Sequence, residues 1–198
     1  MENQEQDHEH GEGQDRMSTK EEKAIVLDFL PNGYPFDNRG RKTPIVQAIG
    51  ADHFVLLELV PKKEVGLQPN EEIYIGEGKR DKIHHIIGKL PMNRLTSTAR
   101  SELIFIIKNI VDKNQKKFVD FFNKARSLTT RMHQLELLPG LGKKHMWEII
   151  EERKNKDFES FDDLKNRVKL MPDPEKAIIK RILKEIEGEE KHRIFVDL

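Results

Sequence analysis

The stretch Leu138-Pro139-Gly140-Leu141-Gly142-Lys143-Lys144 predicts how the C-terminal part of this chain folds. Glycine takes a positive φ without a Cβ clash, so a Pro-Gly-x-Gly step lets the backbone reverse within about four residues. Lys143 then begins a helix, whose first N–H groups have no intrahelical acceptor and lie at the positive end of the helix dipole. Such a turn can bind a phosphate, and Lys143 and Lys144 add positive charge at its mouth.

The spacing of apolar residues predicts an α-helix on each side of this turn. The upstream residues recur at three- and four-residue steps and are Leu128, Met132, Leu135 and Leu138. The downstream residues are Met146, Ile149 and Ile150, which lie beside Trp147. The turn is therefore expected to join two amphipathic helices.

With helices on both sides, the turn resembles the helix-hairpin-helix motif, whose hairpin contacts the sugar-phosphate backbone of DNA or RNA. Residues 138–168 resemble the first half of a tandem hairpin domain of the competence-protein and excision-nuclease type. The second hairpin of that domain would fall at residues 168–174, which read Val-Lys-Leu-Met-Pro-Asp-Pro and contain no glycine. The resemblance therefore implies a single phosphate site. A helix is still expected here, with Asp173 as its cap and Pro174 at its first position.

Charge is distributed unevenly along a chain that is neutral as a whole, with 35 basic and 35 acidic residues. Residues 79–145 hold fifteen basic and five acidic residues, a net charge of +10, whereas residues 1–15 hold six acidic residues and no Lys or Arg. A basic block that ends at a phosphate-binding turn is typical of a nucleic-acid-binding protein, whose affinity falls with salt. The alternative is that these charges only solvate exposed helix faces.

Between the acidic start and the basic block, short apolar runs rich in β-branched residues predict five strands. They cover residues 24–30, 44–49, 53–60, 72–76 and 82–87. Five short strands favour a small barrel, either OB-like or SH3-like. The periodicity does not separate these two topologies, and it leaves open a sheet packed on the helices.

The loop after the first predicted strand combines two aromatic rings with three cations. They are Tyr34, Phe36, Arg39, Arg41 and Lys42. Barrels that bind single strands use this combination, because rings stack on bases for about 1–3 kcal/mol each while cations follow the phosphates. These five residues are therefore predicted to bind nucleic acid together with residues 138–144. The alternative is that the two rings close the end of the barrel.

The predicted architecture is α+β, with a small five-stranded OB-like or SH3-like barrel followed by an all-α helix-hairpin-helix domain. A disordered acidic tail is expected at 1–20, the barrel at 21–92, linking helices at 93–127 and the hairpin domain, with its degenerate second hairpin, at 128–198. The chain has no Cys and no long apolar run, so neither a zinc site nor a membrane span is expected. We expect a cytoplasmic protein without a cofactor or bound metal.

The chain also resembles an archaeal family, domain of unknown function 655. The likeness rests on Leu-Asp-Phe-Leu-Pro-Asn-Gly at 27–33, on Ile-Tyr-Ile-Gly-Glu-Gly at 73–78 and on the single hairpin. It covers about residues 18–198 and implies the same plan, a barrel followed by helices and a hairpin domain, with binding of RNA or DNA. It brings no catalytic residue.

Two other functions compete with nucleic-acid binding. One is a protein-interaction adaptor in a ribosomal or replication assembly, in which the hairpin only stabilises the fold. The other is a DNA glycosylase or lyase, because Lys144 and Asp162 match the offsets of the Schiff-base lysine and catalytic aspartate in hairpin-containing glycosylases. However, the residues around Asp162 read as a helix cap, with Ser160 before the helix and Asp163 three residues on. The sequence therefore predicts a non-catalytic protein.

Overall fold

The computed structural model describes residues 20–35, 43–188 and 190–196 and has an α+β fold. The strands of the main sheet are β1 (Lys23–Leu30), β2 (Ile45–Gly50), β3 (Leu56–Pro61), β4 (Glu72–Tyr74) and β5 (Ile83–Lys89). The helices are α1 (Ser97–Lys113), α2 (Gln115–Lys124), α3 (Lys143–Asn155), α4 (Phe161–Arg167) and α5 (Pro174–Glu187). The five predicted strands and both linking helices are confirmed. Residues 1–19 of the tail predicted at 1–20 lie outside the described residues.

The five strands form one antiparallel sheet in the order β4-β1-β2-β3-β5. Successive residues of β1 face opposite sides, so Ile25 packs toward the helices while Val26 lies inside the curl of the sheet. That inner cluster includes Ile73 from one edge strand and Ile83 from the other, which means that the sheet curls until its edges share a core. No ladder joins β4 to β5 within the described residues. The sheet is therefore curled but not closed by hydrogen bonds.

The start of α1 is bonded to the sheet. The Thr96 hydroxyl accepts a hydrogen bond from the Ala99 N–H at 3.0 Å and donates to Asp28 Oδ2 on β1 at 2.6 Å. The Thr96 N–H donates to Gln47 Oε1 on β2 at 2.9 Å. One residue thus caps the helix and fixes it across two strands. No helix in the described parts of the chain is long and apolar enough to cross a membrane.

A single apolar core connects the sheet, the linking helices and the C-terminal helices. Its central aromatic residue is Phe118 on α2, whose ring centroid lies 6.2 Å from that of Phe54 beside the sheet and 5.7 Å from that of Phe195. The same cluster of buried side chains runs from Ile25 to Val196. The parts predicted at 21–92, 93–127 and 128–198 therefore share one core.

We call residues 138–144 the glycine turn. The prediction of an α-helix upstream of it is wrong. Strands β6 (Ser127–Thr129) and β7 (Met132–His133) form a two-stranded ribbon there, and a 3₁₀ turn (Gln134–Leu137) follows. Residues Arg126 and Gln134 hold the ends of the ribbon together, since the Gln134 N–H donates to Arg126 O and the Gln134 side chain accepts from the Arg126 N–H. His133 is the N-cap of the 3₁₀ turn and forms a capping box with Glu136. These local bonds replace the helix that the apolar spacing predicts.

The two later helices begin as predicted. The Ser160 side chain accepts from the Asp163 N–H at the start of α4, and the Asp173 side chain accepts from the Lys176 N–H at the start of α5. Pro174 stands at the first position of α5, and Gly188 ends it in the left-handed region with φ of 83°. The cap residues that the sequence predicts are confirmed.

A buried ion pair on α5 connects the C-terminal segment to the glycine turn. Arg181 and Glu185 are only 2% and 0% exposed, and Arg181 Nε donates to Glu185 Oε1 at 2.7 Å. The Glu185 carboxylate accepts the N–H groups of three consecutive residues, Ile194, Phe195 and Val196. Arg181 Nη1 donates to the carbonyl of Leu137, the last residue before the turn, at 3.2 Å. We call this set the Arg181–Glu185 network.

Candidate nucleic-acid interface

The glycine turn places its two glycines in different conformations. Gly140 has φ of 88°, in the left-handed region, which L residues rarely adopt. Gly142 has φ of −93° and ψ of 179°, which any residue can adopt, and it is the N-cap of α3. A positive φ is therefore needed at Gly140 but not at Gly142. A Cβ at Gly142 would meet no atom within 4 Å, so this side of the turn is open.

The turn leaves exposed residues with free backbone donors at the start of α3 within the described residues. The first intrahelical bond runs from the Met146 N–H to the Gly142 carbonyl at 3.1 Å. No acceptor among the described residues bonds the N–H groups of Gly142, Lys143 or Lys144, and no side chain caps this helix. Beneath the turn, Leu138 and Leu141 are buried and hold it on the core. Open amides at a helix start and two exposed lysines can bind a phosphate oxygen.

The glycine-free turn before α5 lies against the glycine turn and α3. The Lys169 N–H donates to Glu148 Oε1 at 3.0 Å, and the Leu170 carbonyl lies 3.0 Å from His145 Nε2. A Cβ at Gly140 would lie 3.5 Å from the ring of Pro172. At its tip Leu170 has φ of 54° and is 87% exposed, a conformation that glycine usually occupies. The two turns are therefore neighbours, although only the first has glycines.

A groove of about 780 Å³ lies beside the glycine turn, between the β6–β7 ribbon and α3. We call it the ribbon groove. Lys143, Trp147 and Ile150 line it from one face of α3, since residues three and four apart lie on the same side of a helix. Arg131 and Met132 line it from the ribbon. Trp147 is 59% exposed, so a large aromatic ring faces solvent within the groove.

The ribbon groove is positively charged. Its lining includes five cations, Lys124, Arg126, Arg131, Lys143 and Arg153, and one carboxylate, Glu136. Lys124 pairs with Asp120 at 3.2 Å, while within the described residues no carboxylate oxygen lies within 4.0 Å of a charged nitrogen of the two ribbon arginines or of Lys143. These three cations remain available for an anionic partner.

His133 lies at the floor of the ribbon groove. Its Nδ1 accepts a hydrogen bond from the Leu135 N–H at 3.2 Å. Burial lowers the pKa of His133, and the nearby Arg153 lowers it further, against a smaller opposing effect of Glu136. The folded protein therefore holds the imidazole neutral, which its role as a hydrogen-bond acceptor also requires.

Acidification should destabilise the fold through His133. Because its pKa is lower in the folded than in the unfolded chain, the unfolded chain binds more protons as the pH falls through about 6.5, and stability is lost below that pH. The loss from one such group is at most about 1.4 kcal/mol per pH unit. His133→Asn retains a side-chain oxygen that can cap the turn and should lose less stability than the wild type between pH 7.5 and 5.5. Thermal unfolding at both pH values, with His84→Asn as the exposed control, measures this; equal losses in wild type and His133→Asn would contradict it.

The structure places Tyr34 within a network of the sheet. Its hydroxyl donates to Glu58 Oε2 at 2.8 Å and accepts from Gln47 Nε2 at 3.0 Å, and burial raises the pKa of this hydroxyl. The guanidinium of Arg94 lies 5.3 Å from the centre of the ring. These contacts fit the alternative role, in which Tyr34 packs at the end of the sheet. The other predicted residues of this loop, Phe36, Arg39, Arg41 and Lys42, lie outside the described residues.

The pair considered for lyase chemistry has no special environment. Asp162 lies in the first turn of α4, where its Oδ1 is 2.7 Å from Lys165 Nζ and its side chain is 84% exposed. Lys144 is also exposed, at the start of α3. A lysine that attacks a sugar carbon is typically desolvated in an apolar pocket, whereas Lys144 is exposed.

The predicted site of residues 138–144 omits the ribbon groove. Arg126, Arg131, Met132 and Trp147 come together there only because the ribbon folds against α3. One signal in the sequence could have indicated the ribbon. Residues 127–131 read Ser-Leu-Thr-Thr-Arg, and such β-branched and hydroxyl residues favour a strand and turn over a helix.

The sequence profile of the family described as "Protein of unknown function (DUF655)" matches residues 20–197. The chain belongs to this family. DUF655 thus covers the curled sheet, the linking helices, the glycine turn and the C-terminal segment that reaches Glu185.

Two proteins similar to this chain come from archaea. The uncharacterised protein MJ0038 of Methanocaldococcus jannaschii is 45% identical over 176 residues, which make up 89% of this chain and 79% of that protein. The crystal structure of Af1531 from Archaeoglobus fulgidus, described as DUF655, matches with a TM-score of 0.79 and 47% identity, over 88% of this chain and 99% of that one. The similarity to Af1531 extends over most of the fold described above.

Proposed function

We propose that this protein is a non-catalytic nucleic-acid-binding protein that holds the sugar-phosphate backbone at the glycine turn. The observation that carries the proposal is the start of α3, where open amides, two exposed lysines and unfilled space beside Gly142 coincide. A phosphate oxygen there would accept from the amides and interact favourably with the helix dipole. Contacts of this kind give affinity without reading base sequence.

We also propose that the fold contains a helix-hairpin-helix motif and a small barrel. The turn and α3 would form the second half of a helix-hairpin-helix whose first helix is reduced to the 3₁₀ turn Gln134–Leu137. The curled sheet would be a small barrel of the OB-like or SH3-like kind, and its inner core supports that assignment. The loop at 31–42 would then contribute Phe36, Arg39, Arg41 and Lys42 to a second contact with the strand.

The proposal predicts that Gly142→Asp weakens nucleic-acid binding without destabilising the fold. Aspartate is a better N-cap than glycine and favours a helix start, so thermal stability should be unchanged or slightly higher. The new carboxylate would accept hydrogen bonds from the amides in place of the phosphate. It would also repel the phosphate, with a Coulomb energy of about 4 kcal/mol for unit charges 4 Å apart at an effective dielectric of 20. We therefore expect the affinity to fall at least about tenfold. Fluorescence anisotropy with labelled single- and double-stranded RNA and DNA, over a salt series, measures the affinity.

Two variants make this test specific. Gly142→Asn caps the same amides without a charge, so its loss of affinity should be smaller than that of Gly142→Asp. Gly66→Asp adds the same charge at another glycine where a Cβ would meet nothing within 4 Å, and it should not change binding. Wild-type protein that binds no nucleic acid at low salt, or a Gly142→Asp variant that binds as tightly as wild type, would sink the proposal.

An adaptor function has one observation in its favour. Ile104 and Phe105 on α1 are 58% and 54% exposed, and neighbouring large apolar side chains at a surface are a feature of protein contacts. If a protein were the partner, Ile104→Ser with Phe105→Ser should abolish its binding, while Gly142→Asp should leave it intact. Parallel binding assays with the two variants therefore distinguish the adaptor from the nucleic-acid-binding protein.

A further inference from the structure

We infer that the ribbon groove binds an unpaired stretch of RNA, with a base stacked on the ring of Trp147. The inference rests on the proposed function and names the ligand of the surface that adjoins the glycine turn. It is carried by three properties of the groove, which are its exposed aromatic ring, its charge and the hydroxyl groups of the ribbon.

The first property is the exposure of Trp147. The neighbouring apolar residues of α3, Met146 and Ile149, are buried, whereas the largest ring of the helix is 59% exposed. Leaving such an area in water is unfavourable unless a partner covers it. Surfaces that bind single strands combine exposed aromatic rings, on which bases stack, with neighbouring cations.

The second property is the position of the cations relative to that ring. Lys143 and Trp147 are four residues apart on α3, so they lie on the same face of the helix. Cβ atoms at this spacing are about 5–6 Å apart. A strand whose phosphate binds at the start of α3 would place its next nucleotides along this face. Arg126 and Arg131 line the groove and, within the described residues, pair with no carboxylate, so they can follow the backbone. One phosphate of the strand would bind at the start of α3, and a following base would stack on Trp147.

The exposed ring indicates that the strand is unpaired, and the third property, the hydroxyl groups of the ribbon, indicates that it is RNA. A base inside a duplex is covered on both faces by its neighbours, so only an unpaired base can offer a face to Trp147. Ser127, Thr129 and Thr130 line the groove with hydroxyl groups. A ribose 2′-hydroxyl can both donate to and accept from such groups, whereas deoxyribose lacks this hydroxyl and offers only acceptor oxygens.

The fluorescence of the full chain reports on this site directly, because Trp147 is its only tryptophan. The protein would be titrated with an eight-nucleotide unpaired RNA, with DNA of the same sequence, with an RNA duplex and with polyglutamate. We expect saturable quenching by the unpaired RNA. We expect DNA to bind at least about fivefold more weakly, and the duplex and polyglutamate to give no saturable quenching.

Variants separate stacking from charge. Trp147→Ala and Trp147→Phe contain no tryptophan, so their affinities are measured by the anisotropy of labelled RNA. Trp147→Ala should reduce the ratio of affinities for unpaired and duplex RNA at least about fivefold, while Trp147→Phe, which retains a ring, should lose less. Phe105→Ala removes an exposed aromatic ring elsewhere and should not change this ratio. Arg131→Gln should reduce the slope of log affinity against log salt by about 0.7, the value for one phosphate contact on a single strand.

The failure of this inference can be told apart from the failure of the proposed function. If RNA binds and Gly142→Asp weakens binding, but Trp147 is not quenched and Trp147→Ala binds like wild type, the glycine turn works and the groove inference falls. Equal quenching by DNA would overturn the choice of RNA. Quenching by polyglutamate, or emission that changes on dilution of the protein alone, would assign the groove to an acidic segment or to a second copy instead. Absence of all nucleic-acid binding would overturn both proposals.

Discussion

Glu185→Gln should lower the free energy of unfolding by about 3–5 kcal/mol, which is the usual cost of removing one partner from a buried ion pair. The Glu185 carboxylate is fully buried and serves Arg181 and three backbone N–H groups at once. Glutamine keeps one acceptor oxygen but turns an NH₂ group toward donors. It also leaves the buried Arg181 guanidinium with only one carboxylate, that of the partly exposed Glu190 at 3.0 Å. The total stability of a domain is about 5–15 kcal/mol, so this loss is a large share of it.

Urea unfolding followed by circular dichroism measures the effect. Glu187→Gln is the matched control, because Glu187 lies on the same helix and is exposed, and its substitution should cost less than about 0.5 kcal/mol. Replacing both partners, as Arg181→Met with Glu185→Leu, should recover only part of the loss. The double variant removes the buried guanidinium charge of Arg181. It still leaves the N–H groups of residues 194–196 without an acceptor. A Glu185→Gln variant as stable as Glu187→Gln would show that the network contributes little.

Phe118→Ala should also cost about 3–5 kcal/mol, and it should do so for the whole chain at once. The ring packs against Phe54 beside the sheet and against Phe195 near the C-terminal helix, so its removal leaves a cavity where the parts meet. Because one core connects these parts, we expect a single unfolding transition in wild type and variant.

The chain contains its own reporters for that test. Both tyrosines, Tyr34 and Tyr74, belong to the sheet part, while the only tryptophan lies on α3. Tyrosine and tryptophan signals should therefore change at the same urea concentration. Phe105→Ala is the control, since its ring is 54% exposed and its loss should cost less than about 0.5 kcal/mol. Two separate transitions would mean that the sheet and the helices fold independently.

The parts of the fold that the sequence predicts correctly are those decided by local rules. The strands follow from β-branched runs between turn signals, and α4 and α5 follow from Ser160, Asp173 and Pro174 at their starts. Each of these signals acts within a few residues of its position. The glycine turn belongs to the same class, because the positive φ at residue 140 is one that glycine adopts without strain.

The error at residues 128–138 has a physical cause. Leu128, Met132, Leu135 and Leu138 have helical spacing, yet the ribbon is favoured by bonds between Arg126 and Gln134 and by the capping box at His133. Spacing records which side chains are apolar, not which backbone groups find partners. A helix and a ribbon can bury the same leucines, so the pattern alone does not distinguish them.

The candidate site is predictable only where it is local. The turn was found from glycines and lysines that are adjacent in sequence, whereas the ribbon groove depends on packing between segments about fifteen residues apart. The role of Tyr34 likewise depends on distant partners, Gln47 and Glu58. Arg181 and Glu185 are four residues apart on a helix, a spacing typical of exposed pairs, and only their burial shows otherwise.

The bonds to Glu185 have a consequence for how the C-terminal segment exchanges hydrogen with solvent. Residues 190–196 contain no helix or strand, and amides in such segments usually exchange quickly. Three of these amides, however, donate to a carboxylate that is fully buried beneath the segment. Deuterium can reach them only when the segment detaches from α5, which breaks the bonds to Glu185 together. We therefore expect these three amides to exchange more slowly than is usual for irregular backbone.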